Sequence, residues 1–155
     1  MALARIMVDG YSLLHSWPEL APGKARHSAA ARDELARVLR LYADTIHTPV
    51  TIVFDGNSAK GAPQTESDSA LEIVYSHSGQ TADDVIERVT HRMRPYGEVM
   101  AVTDDHAERD TVISLGGSAC GCLNFIQMIE NSVGEMERSI KHHNQRERAR
   151  FNRPQ

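Results

Sequence analysis

Three stretches that read as buried strands run out onto acids. Asp9 follows Ile6 to Val8, Asp55 follows "VTIVF", and the pair Asp104 and Asp105 follows "EVMAV" with Thr103 between. A fourth acid, Asp83, opens a helical stretch, and Glu87 stands four residues on, hence on the same helical face. A carboxylate at the rim of a hydrophobic sheet is costly unless a cation meets it. Two carboxylates about 4 Å apart repel by roughly 4 kcal/mol at an effective dielectric near 20, so three or four together require protons or cations. The chain has only three lysines, none directly after an acidic strand end, and Arg109 can offset only part of such a charge. Hard oxygen ligands with open positions suit Mg²⁺ or Mn²⁺, ions that keep several waters and meet phosphate oxygens. The chemistry to expect from them is metal-assisted hydrolysis of a phosphodiester.

These acids can cooperate only if the fold brings them to one place. Ile6 to Val8 reads as a first strand, Val50 to Gly56 as a second, Ala70 to Ser76 as a third and Glu98 to His106 as a fourth, with a weak fifth near Ser118 to Cys120. Between them, Ala31, Leu35, Val38, Leu39, Tyr42 and Ile46 recur at helical spacing, and Ala82, Val85, Ile86, Val89 and Met93 do so over Thr81 to Met93. A short helix is expected over 105–115, and Ile126, Ile129, Val133, Met136 and Ile140 mark a last one. The polar stretch from Asn57 to Ser69 reads as a loop. Strands alternating with helices predict an α/β three-layer sandwich, a mostly parallel sheet covered on both faces, with sites outside the carboxyl ends of its strands. The strand-end acids therefore converge. Gly10 and Gly56, each next to an acid, fit a backbone turning sharply beside a ligand.

Composition sets the frame. At 155 residues, 41% hydrophobic and 25% charged with a net charge of -4, the chain has one domain's worth of core and is no generic basic nucleic-acid coat protein. No apolar run approaches the roughly 18 residues of a membrane span and no signal-peptide pattern opens the chain, so a cytoplasmic protein away from membranes is expected. Cys120 and Cys122 are too few and too close for a disulfide framework and read as buried thiols.

Several residues have plainer readings. Thr81 and Asp84 fit a capping box, so Asp84 is assigned to its helix rather than to a metal. Asp83 at the helix start is favoured by the dipole in any case, and its ligand role rests on convergence with Asp9 and Asp105. Thr103 is a candidate hydrogen-bond donor to phosphate or carboxylate; Trp17 reads as a lid over the core ahead of a stacking platform. Residues 141–155 carry Lys141, Arg146, Arg148, Arg150 and Arg153 against Glu147, five minus one or +4, on a chain that is -4 overall. That tail is either a solvated end or an RNA or ribosome anchor.

The motifs "VDGYSLLHSWPEL", "VFDG", "TADDVIE" and "VTDD", in that order over residues 5 to 135, resemble those of the YacP-like branch of the NYN domains, within the PIN-like nuclease superfamily. The resemblance implies a sheet ordered 3-2-1-4-5 and divalent-metal-dependent cleavage of RNA. It places the metal-binding acids on Asp9, Asp83 and Asp105, with Asp55 and Asp104 in support. A relative that cleaves mRNA on the ribosome makes the ribosome a candidate partner beside RNA. Ser12 stands where the family commonly has Asn, and Asp104 where it has Ser. The expectation is a nuclease domain over 1–140 followed by the basic tail. Ser12 keeps alive a rival, an RNA- or ribosome-binding module whose cleavage has lapsed. An acid-cluster phosphotransferase of the haloacid-dehalogenase type is disfavoured, because that chemistry wants an aspartate at position 11, which is Tyr.

Overall fold

The computed structural model describes residues 3–56, 65–67, 70–77 and 79–134. Its strands are β1 (Leu3–Asp9), β2 (Val50–Phe54), β3 (Thr65–Ser67), β4 (Leu71–Tyr75), β5 (Glu98–Val102) and β6 (Ser118–Cys120). The helices are α1 (Gly10–His15), α2 (Ala29–Ile46), α3 (Ala82–Met93), α4 (His106–Ser114) and α5 (residues 122–134). One sheet runs β3-β4-β2-β1-β5-β6. All neighbours are parallel except β3, which pairs antiparallel to β4. Counting the parallel strands alone gives the expected order 3-2-1-4-5.

Alternation along each strand supplies both faces. Ile6 and Val8 of β1, with Val50, Ile52 and Phe54 of β2, enter a larger core with Leu35 and Leu39 of α2 and Phe125 and Ile129 of α5. Met7 and Val53 point the other way, into a smaller core with Val99 and Ala101 of β5, Ala82, Val85 and Ile86 of α3 and Val112 of α4. A strand apolar on both sides belongs in the middle of a covered parallel sheet, and β1 holds that central place. Chain order reverses across β1, since β2 lies on one side and β5 on the other. The crevice at such a reversal, beyond the strand carboxyl ends, is where open α/β sheets bind ligands. Asp9 ends the strand at that point.

Two local features depart from the sequence reading. The stretch read as a loop from Asn57 to Ser69 contributes the edge strand β3, too short and too polar for its period to show. Residues 10–15, to which the sequence reading gave no element, form α1; Asp9 caps it, its carboxylate accepting from the Ser12 N–H at 3.3 Å. Met136, Ile140 and the whole basic tail lie outside the described residues. Among the described residues no helix is long and apolar enough to cross a membrane.

Candidate metal and phosphodiester site

Each acid is delivered by the end of an element. Asp9 and Asp55 leave β1 and β2, Asp83 sits in the first turn of α3, and Asp105 caps α4 by accepting from Ala107 N at 2.9 Å and Glu108 N at 3.3 Å. Asp9, Asp55 and Asp83 line one open cleft of about 420 Å³. The two glycines beside the strand ends serve packing. A β-carbon on Gly10 would stand 2.3 Å from the Phe54 ring, and one on Gly56 would stand 1.8 Å from the Ser76 carbonyl oxygen. Neither has positive φ, so close approach of the backbone, and not a turn around a ligand, requires them.

The electrostatics show how these acids bear on one another. Burial raises the Asp9 carboxyl most; the Ser12 N–H offsets part of this, and Asp83, Asp55 and Asp105 add repulsion, leaving a pKa of about 6. Asp83 is raised by burial, then by Asp105, Glu87 and Asp84. Glu108, which the sequence reading passed over, is the deepest member at 3% exposed. Burial and a hydrogen bond from its carboxyl to Glu87 push it well above the carboxylate range, helped by Asp83, Glu87 and Asp105. Its Oε1 has no hydrogen-bond partner. Spacing hides it: Asp105 and Glu108 stand as N-cap and third helical residue, the pattern of a capping box. Here the glutamate turns inward to Glu87, which is thus tied to the site.

Asp104 belongs to a different neighbourhood. It accepts from Cys122 N at 2.8 Å and Ser16 Oγ at 3.0 Å, and Arg109 Nη2 stands 3.7 Å away. Burial alone would raise this carboxyl, but those donors and the guanidinium outweigh it and hold it below its usual range. It is absent from the acids that perturb Asp9, Asp83 and Glu108. Its placement is that of a satisfied structural acceptor, in contrast to the supporting ligand anticipated from sequence. Thr103 is buried, and its Oγ1 accepts from Asp105 N at 3.2 Å, so it steadies Asp105 from behind. The Ser12 hydroxyl lies 3.5 Å from Cys122 Sγ. Thr81 and Asp84 form the reciprocal capping box, which keeps Asp84 out of the site. Trp17 is 7% exposed and packed in the larger core, a lid and not a platform.

Against known proteins, residues 6–154 match the family described as the YacP-like NYN domain. The chain belongs to the YacP-like NYN family. It is a PIN-like, nuclease-type module. "Uncharacterized protein YacP" of Bacillus subtilis (strain 168) is 24% identical to this YacP-like chain over 137 residues, 88% of the chain and 81% of that protein. The crystal structure of Rae1 (YacP) from Bacillus subtilis superposes with a TM-score of 0.78 at 23% identity, over 96% of this chain and 85% of that one. Its W164L mutant gives 0.79 at 22% identity, over 92% and 85%. At that identity the likeness is one of fold.

Basic side chains share the lining of this YacP-like domain's cleft: His15, Arg26 and His27 form that part of its wall. Arg26 Nη1 donates to His15 Nδ1, and the His27 ring lies against Tyr11 with centroids 4.3 Å apart. Tyr11 continues onto Phe54 at 4.9 Å and so into the core. Arg26 and His27 of this wall escaped the sequence reading, although a signal was present. Over residues 15–32, Lys24, Arg26 and Arg32 stand against Glu19, three minus one or +2, on a chain that is -4 overall.

Proposed function

We propose that the protein is a divalent-metal-dependent endoribonuclease that hydrolyses RNA phosphodiesters at the cleft beyond β1. The observation that supports this most is the raised affinity of Asp9 for a proton. A carboxyl held at about 6 by burial and by Asp83, Asp55 and Asp105 marks a site where positive charge is in short supply.

The residues fit a hard cation. The donors are all carboxylate oxygens, and the buried Glu108 Oε1 at their inner edge lacks a partner. Among the described residues no three His, Cys, Asp or Glu side chains are gathered into a ready-made ion cage. Mg²⁺ is typically bound through one or two carboxylates, several waters and substrate phosphates. Asp9, Asp83 and Asp105 would hold it, with Asp55 beside them. When bound, such an ion supplies Lewis acidity at the phosphoryl oxygens and a more acidic water.

The chain's own groups prepare that site. Thr103 and the first turn of α4 fix Asp105, and the Ser12 N–H fixes Asp9. Burial, with Glu87 beside it, raises the Glu108 carboxyl at the inner edge of the site. The basic residues Lys141, Arg146, Arg148, Arg150 and Arg153 would add sequence-independent attraction for RNA phosphates. The family resemblance makes ribosome-bound mRNA a substrate to compare with free RNA.

The test is cleavage of a panel of RNAs, with and without ribosomes, in Mg²⁺, in Mn²⁺ and in chelator. Cleavage that needs the cation and disappears in Asp9→Asn supports the proposal. RNA binding without cleavage under any of these conditions favours the rival, a binding module whose chemistry has lapsed.

A further inference from the structure

A second pocket adjoins the acidic cleft and shares His15 and Arg26 with it. Its volume is about 440 Å³, within the roughly 300–1,000 Å³ of small-ligand sites. Its interior is apolar, built from Leu14, Trp17, Pro18 and Ala31, and Lys24 stands at its rim. The buried Trp17 and Leu14 make a fixed wall, since both belong to the larger core. Arg26 and Lys24 are exposed, and among the described residues no carboxylate pairs with either.

The partition between the two pockets is chemically specific. A guanidinium can only donate, so in its bond to Arg26 the His15 Nδ1 accepts and the ring's proton sits on Nε2. The partition therefore presents only N–H donors: the remaining guanidinium hydrogens, the His15 Nε2–H and, close by, the Lys24 ammonium. A guanidinium matches a phosphate with paired, directed hydrogen bonds. Across the surface the sequence is thus acidic cleft, donor partition, apolar pocket. Single-stranded RNA offers the complementary series of scissile phosphate, adjacent phosphate and unstacked base.

We propose that this second pocket is a nucleotide subsite. Arg26, with His15 and Lys24, holds the phosphate next to the one being cut, and the apolar pocket takes the base attached to it. The occupant is single-stranded RNA, because a base inside a duplex would first have to be unpaired and unstacked, at a cost of a few kcal/mol, to enter. The subsite deepens the endoribonuclease reading and rests on it for the identity of the neighbouring phosphate, but RNA binding can be measured without cleavage.

The experiment uses the full chain in chelator, with a fluorescent single-stranded RNA hexamer, and follows anisotropy over a range of salt. Arg26→Gln is expected to weaken binding and to flatten the plot of log affinity against log salt by about one unit. Ala21→Trp, which fills the apolar pocket from its partly buried rim, is expected to weaken binding by about tenfold. Among hexamers each carrying one abasic position, at least one should bind Ala21→Trp and the wild type alike. An unchanged salt slope in Arg26→Gln overturns the phosphate half. A loss in Ala21→Trp that persists with every abasic hexamer, or no loss at all, overturns the base half. A wild type that binds no single-stranded RNA overturns both. Failure to cleave in Mg²⁺ or Mn²⁺ while these binding differences hold sinks the nuclease reading and leaves the subsite standing.

Discussion

Asp104 and Asp105 are chain neighbours at one sheet edge, yet they occupy opposite electrostatic regions. Around Asp104 the fold supplies the Cys122 N–H, the Ser16 hydroxyl and the Arg109 guanidinium, and the carboxyl falls below its usual range. Around Asp105 it gathers Asp9, Asp83 and Glu108, and all three of those neighbours are raised. The difference teaches that a strand-end acid is not by itself a ligand signal. What matters is whether the surrounding chain answers its charge. An answered acid stabilises the fold as it stands; an unanswered set leaves repulsion that a proton or a cation would relieve.

The strongest way to break this contrast is a set of isosteric amides. Asparagine caps helices as well as aspartate does, so Asp9→Asn and Asp105→Asn keep the caps of α1 and α4 while removing charge. Each of Asp9→Asn, Asp83→Asn and Asp105→Asn should lower kcat/KM for RNA cleavage by about a thousandfold or more, and Asp104→Asn by less than about tenfold. If Asp104→Asn falls as far as Asp105→Asn, the two regions are not distinct.

The next effect is on stability against pH. Asp9 has a folded pKa of about 6 against an ordinary 3.8, so the folded state holds the proton more tightly than the unfolded chain. Its contribution is therefore neutral below about pH 4 and becomes unfavourable as pH rises through 6, reaching about 3 kcal/mol. Urea unfolding without metal should show the wild type losing ground to Asp9→Asn across that window. A parallel pH dependence in the two proteins would mean that Asp9 is not strained by its neighbours.

Cation addition sharpens the same contrast at slightly smaller scale. At a hundredfold excess over its dissociation constant, Mg²⁺ or Mn²⁺ should stabilise the wild type by about 2.7 kcal/mol. Thermal melts should show most of that gain kept in Asp104→Asn and nearly all of it lost in Asp9→Asn. The smallest effect is expected for Glu108→Gln. Glu108 already carries a proton at neutral pH, and the amide can still donate to Glu87, so unfolding at pH 7 should change by less than about 1 kcal/mol. A much larger loss would show that Glu108 is ionised and paired in a way this geometry does not provide.

The sheet and its convergent acids were legible because their signals are periodic or positional. Runs such as "VTIVF" ending in Asp55 announce a strand and its carboxyl end together, and parallel topology then gathers such ends. What escaped was set by contacts between distant segments. Nothing local distinguishes Asp104 from Asp105, because Asp104 is satisfied by Cys122 and Ser16, 18 and 88 positions away in sequence. Glu108 was passed over because it stands at capping-box spacing from Asp105, and only the packing of α4 against α3 turns it toward Glu87. Gly10 and Gly56 were correctly seen as special, but their reason lies in Phe54 and Ser76. The helix α1, six residues long, is too short to show a period at all.

Both outer strands of the sheet, β3 and β6, have just three residues. A longer exposed edge would offer a row of backbone donors and acceptors on which another polypeptide could lay an extra strand. Here a visiting strand would find only a residue or two with which to make a ladder. Self-assembly by sheet extension is disfavoured at either border, and recognition by strand addition has little template. Among the described residues, recognition by another protein falls to helix faces, loops or side chains more readily than to a sheet edge.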